Sequence, residues 1–335
     1  MVKFTISNKI IEHISNISAS NAIISALPLP KNIEAELHQK AVVKSTHYST
    51  KIEGNLMTLE KVETMLKGKE IVARQKDIDE IKDYKKSLDY IACLDEQISK
   101  ELIFDIYNIL MKHAIKEEIN QFRESQNTIC KPTGEVIYMP PRARDVEKLM
   151  DKLISWYHHQ KDLHPLIKIA IFHYQYVTIH PFLDGNGRSA RIISEYMLRQ
   201  NGYDTRKLIS LDNYYEKNLS EYYHFLDFGK DFYDDREGCD ITQWILFYLR
   251  SMDIVYDIIR AKAIKLFEAN ESKLEEREKI VKDYILEKGS ITSLEFADIL
   301  EISKRRARAI LSTFAQNKFI KPKPNTKPIK YMLIN

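Results

Sequence analysis

The chain has 335 residues, 30% of them charged and 44% hydrophobic, which suits a soluble globular protein with one large domain and one or two small ones. Only nine glycines are present, where average usage would give roughly 23, and this favours a mainly α fold. Three widely spaced cysteines, Cys93, Cys130 and Cys239, argue against a disulfide framework and a cysteine zinc site. With no signal-peptide pattern and no long apolar run, we expect a cytoplasmic protein without a membrane partner.

Residues 1–110 form a region in which every predicted element is helical. An amphipathic helix and a linker end at "LPLPKN", where two prolines interrupt regular structure. A second helix is predicted from about Ile33 to Glu53 and is broken by "EGN". Thr58 is predicted to cap the next helix, with Glu60 in its first turn. Two further helical patterns complete the region.

Residues 111–260 form a second region, which contains the one predicted hairpin. "NTIC" and "EVIYM" are β-prone and are separated by the turn signal "KPTG", so residues 127–139 are predicted to form two strands. Pro165 opens a helix that is apolar almost throughout, "LIKIAIFHYQYVTI". Helix is predicted to resume near Arg188 and in two segments beyond residue 201.

Residues 275–335 show a different pattern. Two helices, a short turn, a third helix and two β-prone ends around a Pro/Lys tip are typical of a winged helix-turn-helix domain. From Glu301 to Asn335 there are nine Lys/Arg and one acid, so this segment carries +8 and the remaining chain −5. Such a basic end predicts a polyanion-binding module, and a solvated lysine-rich surface is the alternative.

Between two predicted helices lies "HPFLDGNGRSAR", residues 180–191. Gly185 and Gly187 permit left-handed or tight backbone in this loop. Because the next helix begins near Arg188, its free N–H groups and positive dipole end point into the loop, where anions bind. Arg188 and Arg191 are three residues apart, on one helix face. Two guanidiniums beside a helix N-terminus predict an oligophosphate site.

The remaining polar residues of the loop suit chemistry at phosphorus. Asp184 can hold Mg²⁺, which proteins usually bind with one or two carboxylates and substrate phosphates. His180 can accept a proton near neutral pH, as a general base must. Asn186 can donate to charge that develops on a phosphoryl oxygen. Together these groups suit an in-line displacement that needs no nucleophilic Ser or Cys.

The loop resembles a family signature. Its residues reproduce the pattern H-x-F-x-[DE]-G-N-G-R-x-x-R of Fic (filamentation-induced-by-cAMP) domain proteins, and the wider resemblance runs from about residue 35 to 260. It implies a mostly helical Fic core with a β-hairpin flap that binds the target. The usual activity is AMPylation, the transfer of AMP from ATP to a protein hydroxyl. Relatives that phosphorylate carry lysine at the second glycine, so Gly187 favours nucleotidyl transfer.

The resemblance also implies a role for each loop residue. His180 would be the general base, Asp184 the Mg²⁺ ligand and Asn186 part of the anion hole. Arg188 would hold the β-phosphate and Arg191 the γ-phosphate. The residues expected to contact ATP are Gly185, Asn186, Gly187, Arg188, Arg191, Tyr222 and Tyr223.

The roles of four kinds of residue outside the loop are less specific. Tyr222 and Tyr223 lie where the family lines its adenine pocket, but aromatics at helical spacing also form cores. Tyr138 and the flap backbone are predicted to position an extended target segment, and a plain surface hairpin is the alternative. His173 is predicted to be a packed, hydrogen-bonded histidine. Arg123 either braces the site or lies on the surface.

The segment "STKIEGN" carries a second signature. Ser49 and Glu53 are i and i+4 and share a helix face. Glu53 ends that helix, where a carboxylate opposes the C-terminal dipole. The segment resembles the [ST]-x-x-x-E-[GN] inhibitory motif of many Fic proteins, which implies that Glu53 pairs with Arg191 and excludes the γ-phosphate. An ordinary helix end is the alternative.

Two functions from different classes follow. The first is a protein adenylyltransferase that Glu53 autoinhibits and that can also remove AMP from its target. The second is a DNA-binding regulator whose Fic core senses nucleotide or serves as a scaffold. The cations that would contact DNA are Lys304, Arg305, Arg306 and Arg308 on the recognition helix and Lys321, Lys323, Lys327 and Lys330 on the wing. The full set of active-site residues favours the enzyme. The sequence leaves open the target, the releasing signal and the oligomeric state, including a homodimer.

Overall fold

The computed structural model describes residues 2–130, 136–227, 232–236 and 238–334. The chain divides into two units, Met1–Ala263 and Ile264–Asn335. The larger unit contains both the predicted N-terminal region and the predicted core region, which share one hydrophobic cluster. None of the helices in the described ranges combines the length and the apolar character needed to cross a membrane.

The fold is mainly α, as predicted. The helices that begin in the larger unit are α1 Asn8–Ala26, α2 Lys31–Ile52, α3 Leu59–Leu66, α4 Gln75–Cys93, α5 Lys100–Leu110, α6 Ala143–His159, α7 Pro165–Ile179, α8 Asn186–Gln200, α9 Asp212–Lys217, α10 Leu219–Asp227 and α11 Thr242–Lys288. Short 3₁₀ turns lie at Thr205–Lys207 and Asp234–Arg236. The division between the two units falls within α11.

Local sequence signals explain where several helices begin. The predicted cap at Thr58 is confirmed, because its side chain accepts a hydrogen bond from the Lys61 N–H. Ser7 and Ser99 cap α1 and α5 in the same way. Helix α2 begins directly after Pro30 and ends at Ile52, so Glu53 is its C-cap residue.

The predicted hairpin is confirmed at its strands. β1 (Ile129–Cys130) and β2 (Val136–Tyr138) pair antiparallel, with Ile129 opposite Tyr138. The predicted turn, residues 131–134, lies outside the described residues. Of the residues in β2, Val136 is exposed and Tyr138 is buried.

Helix α7 is the centre of the core in the larger unit. It is buried along nearly its whole length and packs against α6 and α8. The indole N–H of Trp244 donates to the carbonyl of Ala170 at 2.7 Å, which attaches α11 to α7. His173 is buried within α7 and lies 2.9 Å from both the Ser194 hydroxyl and the Tyr222 hydroxyl, so the prediction of a packed, hydrogen-bonded histidine is confirmed.

The smaller unit has its own core. β3 (Ile291–Thr292) pairs with β5 (Lys330–Leu333), which pairs with β4 (Ile320–Pro322), in the order β3-β5-β4. Helices α12 (Ser293–Ile299) and α13 (Lys304–Gln316) pack on this sheet through a buried cluster of apolar residues. The end of α11, helices α12 and α13 and the antiparallel pair of β4 and β5 follow one another in the predicted order of elements, and the assignment to a winged helix-turn-helix stays a prediction.

We expect His173 to make folding pH-dependent. Burial lowers the pKa of His173 to about 3, whereas a histidine in an unfolded chain titrates near pH 6.5. Below pH 6.5 the unfolded chain binds a proton that the folded protein does not, so stability is complete above pH 6.5 and is lost as the pH falls. When the pH is lowered from 7.5 to 5, the preference of the unfolded chain for the protonated His173 reduces the free energy of unfolding by about 2 kcal/mol.

Urea denaturation of the parent and of His173→Gln at both pH values measures this term. The variant should lose less stability than the parent on acidification. Equal losses in the two proteins would show that His173 does not contribute.

Candidate active site

The loop between α7 and α8 is built on two left-handed residues. His180 follows α7 with φ 54°, and its N–H still donates to the Tyr176 carbonyl at 3.0 Å. Gly185, with φ 74°, immediately precedes α8, which begins at Asn186 rather than near Arg188. A Cβ at Gly185 would lie 2.6 Å from the Sδ atom of Met111, so both the conformation and the space require glycine here. The first N–H groups of α8 face the loop and have no partner within the helix.

The Asn186 side chain closes the loop. Its oxygen accepts from the Phe182 N–H at 2.9 Å, and its amide nitrogen donates to the Phe182 carbonyl at 2.8 Å. The Phe182 ring stacks on Tyr107 with 3.6 Å between ring centroids, and the Tyr107 hydroxyl donates to the Asp184 carbonyl. The side-chain donor of Asn186 is therefore engaged within the loop, and the backbone at the start of α8 is what this position presents to an anion.

Arg123 braces the loop from the side of the hairpin. Its Nε donates to the His180 carbonyl at 2.8 Å, and its backbone N–H donates to the Pro181 carbonyl at 2.9 Å. The guanidinium also donates to the carbonyls of Ser125 and Pro141. The side chain is buried, so of the two roles considered for Arg123 the structure supports the brace.

His180 is oriented as a proton acceptor. Its Nδ1 lies 3.2 Å from the Val177 carbonyl, an acceptor, which assigns the proton to Nδ1 and leaves the lone pair on Nε2. Burial lowers the pKa of His180, and the hydrogen bond to Val177 acts in the opposite direction. The imidazole is therefore neutral at physiological pH, as a general base requires.

Asp184 presents a carboxylate to solvent. Its side chain is 73% exposed. One oxygen accepts from the Gly185 N–H at 2.6 Å and lies 3.4 Å from Nη2 of Arg188. The described ranges contain no group of three or more His, Cys, Asp or Glu side chains placed around a common point. An exposed carboxylate of this kind fits Mg²⁺ that is held mainly by substrate phosphates and water.

Arg188 is held deep beside the loop. Its side chain is 5% exposed, and Nη1 lies 3.6 Å from the Glu80 carboxylate of α4. Glu80 in turn accepts a hydrogen bond from Asn55, at 2.9 Å, just beyond the end of α2. Within the described residues the buried Nε of Arg188 has no hydrogen-bond partner. A cation with unused donors beside a helix N-terminus is suited to an anionic ligand.

Arg191 is surrounded by acceptors from α2 and α9. Nε donates to the Ser49 hydroxyl at 2.7 Å, and Nη2 donates to the Ser49 carbonyl and to Glu53, each at 2.9 Å. Nε also lies 3.3 Å from the Asp212 carboxylate. Burial disfavours the charged guanidinium, but the charges of Glu53 and Asp212 outweigh it and raise the pKa of Arg191. The guanidinium therefore stays charged, and its Nε and Nη2 atoms are both engaged by acceptors.

Glu53 also blocks the first turn of α8. A Cβ at Gly187 would lie 2.3 Å from the Oε1 atom of Glu53. The carboxylate thus lies directly over the helix N-terminus, where a bound phosphate would sit, while it forms an ion pair with Arg191. Gly187 leaves the space that this arrangement needs.

Comparison with known proteins identifies the family to which the loop and the helices around it are similar. Residues 97–198 match the model of the Fic/DOC family. This part of the chain is a Fic domain. A protein adenylyltransferase Fic of Drosophila willistoni is 27% identical over 226 residues, 65% of this chain and 43% of that protein. The protein of the same name from Drosophila erecta is 30% identical over 201 residues, 58% of this chain and 38% of that protein. The chain thus spans about two fifths of the length of these relatives.

A solved structure shares the fold. The crystal structure of a Fic family protein from Desulfovibrio desulfuricans matches 100% of this chain and 98% of its own, with a TM-score of 0.67 and 22% identity. The predicted Fic-type helical core is therefore confirmed.

The aromatic residues predicted around the Fic site differ in exposure. The Tyr222 ring is buried and lies beside His173, whereas Tyr223 is 47% exposed. The adenine contact remains a prediction, and of these two tyrosines Tyr223 is the one with an exposed ring. The Tyr138 hydroxyl donates to the Thr178 carbonyl, and Arg236 stacks on its ring. Because Tyr138 is buried, its side chain anchors the flap, and a target would contact the strand backbone or Val136 instead.

Sequence reasoning missed three residues of the site, Tyr107, Glu80 and Asp212. None belongs to a local motif, and each reaches the Fic loop or its arginines from a different helix. Asp212 opens α9 directly after Leu211, a position at which an acidic residue ordinarily stabilises the helix dipole. Because the helix dipole already explains an acidic residue at this position, nothing in the sequence indicated a contact between Asp212 and Arg191.

We expect Gly185→Ala to destabilise the protein more than Gly202→Ala. Both glycines are left-handed, with φ of 74° and 76°, and alanine costs about 1–2 kcal/mol in that conformation. Only Gly185 has a neighbour, Met111, in the path of the new methyl group, which adds about 1–3 kcal/mol of overpacking. Chemical denaturation of the two variants measures the difference, and equal costs would mean that Met111 moves aside freely.

Proposed function

We propose that the chain is a protein adenylyltransferase, which transfers AMP from ATP to a hydroxyl side chain of a target protein and which Glu53 holds in an autoinhibited state. The observation that carries the proposal is the pairing of Arg191 with Glu53, at 2.9 Å, over the N-terminus of α8 in a complete Fic loop. The names of the Drosophila relatives support the activity.

The geometry suits one in-line displacement. The target hydroxyl oxygen forms a bond to the α-phosphorus, and Nε2 of His180 takes the hydroxyl proton. The bond from the α-phosphorus to the bridging oxygen breaks, and pyrophosphate leaves. The N–H groups at the start of α8 stabilise charge on the phosphoryl oxygens. Asp184 would hold Mg²⁺, which neutralises the phosphates when bound.

The two arginines suit the leaving pyrophosphate. Arg188 and Arg191 lie on one face of α8 and are both buried, which places two fixed charges beside the helix N-terminus. Such pre-organised cations stabilise a phosphate chain without reorganising. Arg188 is proposed to hold the β-phosphate and Arg191 the γ-phosphate.

Glu53 obstructs this site by charge and by space. Its carboxylate occupies the Nη2 edge of Arg191 and lies over Gly187, so a γ-phosphate would meet both a like charge and an occupied volume. The pair is held by two ordered helices, and the guanidinium is 3% exposed, so solvent screens it less than a surface bridge. ATP therefore binds productively only after Glu53 leaves.

A further proposal concerns the smaller unit, which we infer to bind duplex DNA in addition to the enzymatic role of the Fic domain. Ser303 caps α13, and the cations in its first two turns, Lys304, Arg305, Arg306 and Arg308, are all exposed. Lys321, Lys323, Lys327 and Lys330 are exposed on the hairpin of β4 and β5. A helix and a hairpin that both present cations fit the phosphates beside a groove.

We expect Glu53→Gly to increase the rate of AMP transfer by up to roughly a hundredfold. This is the gain available if autoinhibition by Glu53, the brake, keeps the population of the ATP-binding state near 1%. Incubation with Mg²⁺ and ATP labelled in its α-phosphate, followed by counting label on the protein itself and on lysate proteins, measures the rate. Glu53→Gly with His180→Ala should lose the label, since the general base is absent. Glu53→Gly with Arg191→Ala should lose most of the gain. An unchanged rate in the folded Glu53→Gly protein would remove Glu53 as the brake.

The DNA proposal predicts binding that weakens steeply with salt, because each neutralised phosphate releases counterions. Arg305→Ala with Arg306→Ala should reduce the affinity and lower the slope of log affinity against log salt by about 2. Lys279→Ala with Lys282→Ala removes two exposed charges from α11 in the same unit and should change little. Fluorescence anisotropy on a labelled duplex between 50 and 200 mM salt, a range of about fourfold, measures both. Salt-insensitive or absent binding would contradict the proposal.

A further inference from the structure

Arg191 has a second carboxylate on its inner side. Asp212, the first residue of α9, is 6% exposed, and its Oδ1 lies 3.3 Å from Nε of Arg191. Its other oxygen accepts a hydrogen bond from the Ser45 hydroxyl at 2.5 Å. Glu53, by contrast, is 27% exposed and contacts the outer Nη2 edge. One guanidinium thus lies between a buried carboxylate and a partly exposed one.

The two carboxylates differ in their freedom to leave. Glu53 is the C-cap residue of α2, where the helix ends and the chain turns through Gly54. Asp212 is buried and accepts a hydrogen bond from Ser45. Ser45 lies in α2 about two turns before Glu53. Glu53 can therefore leave by a rotation of its own side chain at the end of α2, while Ser49 and Asp212 stay on Arg191.

The inner carboxylate becomes important when the brake opens. A buried guanidinium without a counter-charge is unfavourable and would shift toward water or another acceptor. With Asp212 in place, Arg191 retains a buried counter-charge and stays where Glu53 left it. A phosphate oxygen then meets the Nη2 edge in the geometry that the Glu53 carboxylate had occupied.

We propose that Asp212 is a positioning residue that keeps Arg191 aimed at the γ-phosphate of ATP after Glu53 has left. Brake release is then an exchange of one anion for another on a pre-organised arginine. Asp212 itself touches no part of the nucleotide. The inference rests on the proposed function, since it assumes that Arg191 holds the γ-phosphate.

The test compares ATP with ADP in the Glu53→Gly background. Because ADP has no γ-phosphate, an effect that acts through Arg191 should appear with ATP alone. Isothermal titration with each nucleotide and Mg²⁺ should show that Asp212→Asn lowers ATP affinity by about tenfold and leaves ADP affinity within about twofold, where a tenfold change corresponds to one good charge-assisted contact. A structural defect would weaken both nucleotides together.

A matched control lies one turn further along α9. Glu216 pairs with Lys51 of α2 at 2.7 Å, so Glu216→Gln removes an ion pair between the same two helices without touching Arg191. This variant should leave the ratio of ATP affinity to ADP affinity unchanged. Ser45→Ala removes the hydrogen bond that fixes Asp212, and it should lower the ratio to a smaller extent.

The possible outcomes are distinct. An unchanged ratio in Asp212→Asn, or an equal loss with both nucleotides, overturns the role of Asp212 and leaves the proposed function standing. If Asp212→Asn does not fold, Ser45→Ala decides, and an unchanged ratio there overturns the inference. If Glu53→Gly itself binds ATP and ADP equally, both this inference and the assignment of the γ-phosphate to Arg191 are wrong.

Discussion

A buried guanidinium needs counter-charges and hydrogen-bond acceptors, and Arg191 of α8 obtains them from two other helices. Ser49 and Glu53 come from α2, Asp212 from α9, and the arginine itself from α8. The cost of leaving such a cation unpaired fixes these helices relative to one another. The same requirement makes the arginine a place where one anion can replace another, as the proposed autoinhibition by Glu53 requires.

The loop before α8 depends on side chains that satisfy its carbonyls. Arg123, Asn127 and Tyr107 donate to the carbonyls of His180, Leu183 and Asp184, and Asn186 closes the turn on Phe182. With its carbonyls occupied, the loop presents N–H groups and arginines to the site. A surface of this polarity attracts anions in general, so it accommodates the carboxylate of Glu53 at the same place where it would bind a phosphate.

His173, within α7, and His180, the C-cap residue of α7, differ in whether a ring nitrogen is left for chemistry. Burial lowers the pKa of both His173 and His180. Both ring nitrogens of His173 contact hydroxyls in the core, so this ring has no free atom for chemistry. Left-handed backbone at His180 turns its ring out of the helix, and only Nδ1 meets a backbone acceptor. The remaining nitrogen is available to a substrate.

The sequence by itself determined the helical fold, the cap at Thr58, the strands of the hairpin and the spacing of the Fic loop, because these follow from residues that are neighbours along the chain. Its family signature also indicated Glu53 as the partner of Arg191, a pairing that the structure shows at 2.9 Å. Only the tertiary structure placed Asp212 and Glu80 on the arginines, buried Tyr138 and Tyr222, and engaged the Asn186 side chain within the loop. A local pattern sets backbone conformation and helix faces, but a buried charge takes whatever acceptor packing brings to it, and Ser49 and Arg191 are 142 residues apart.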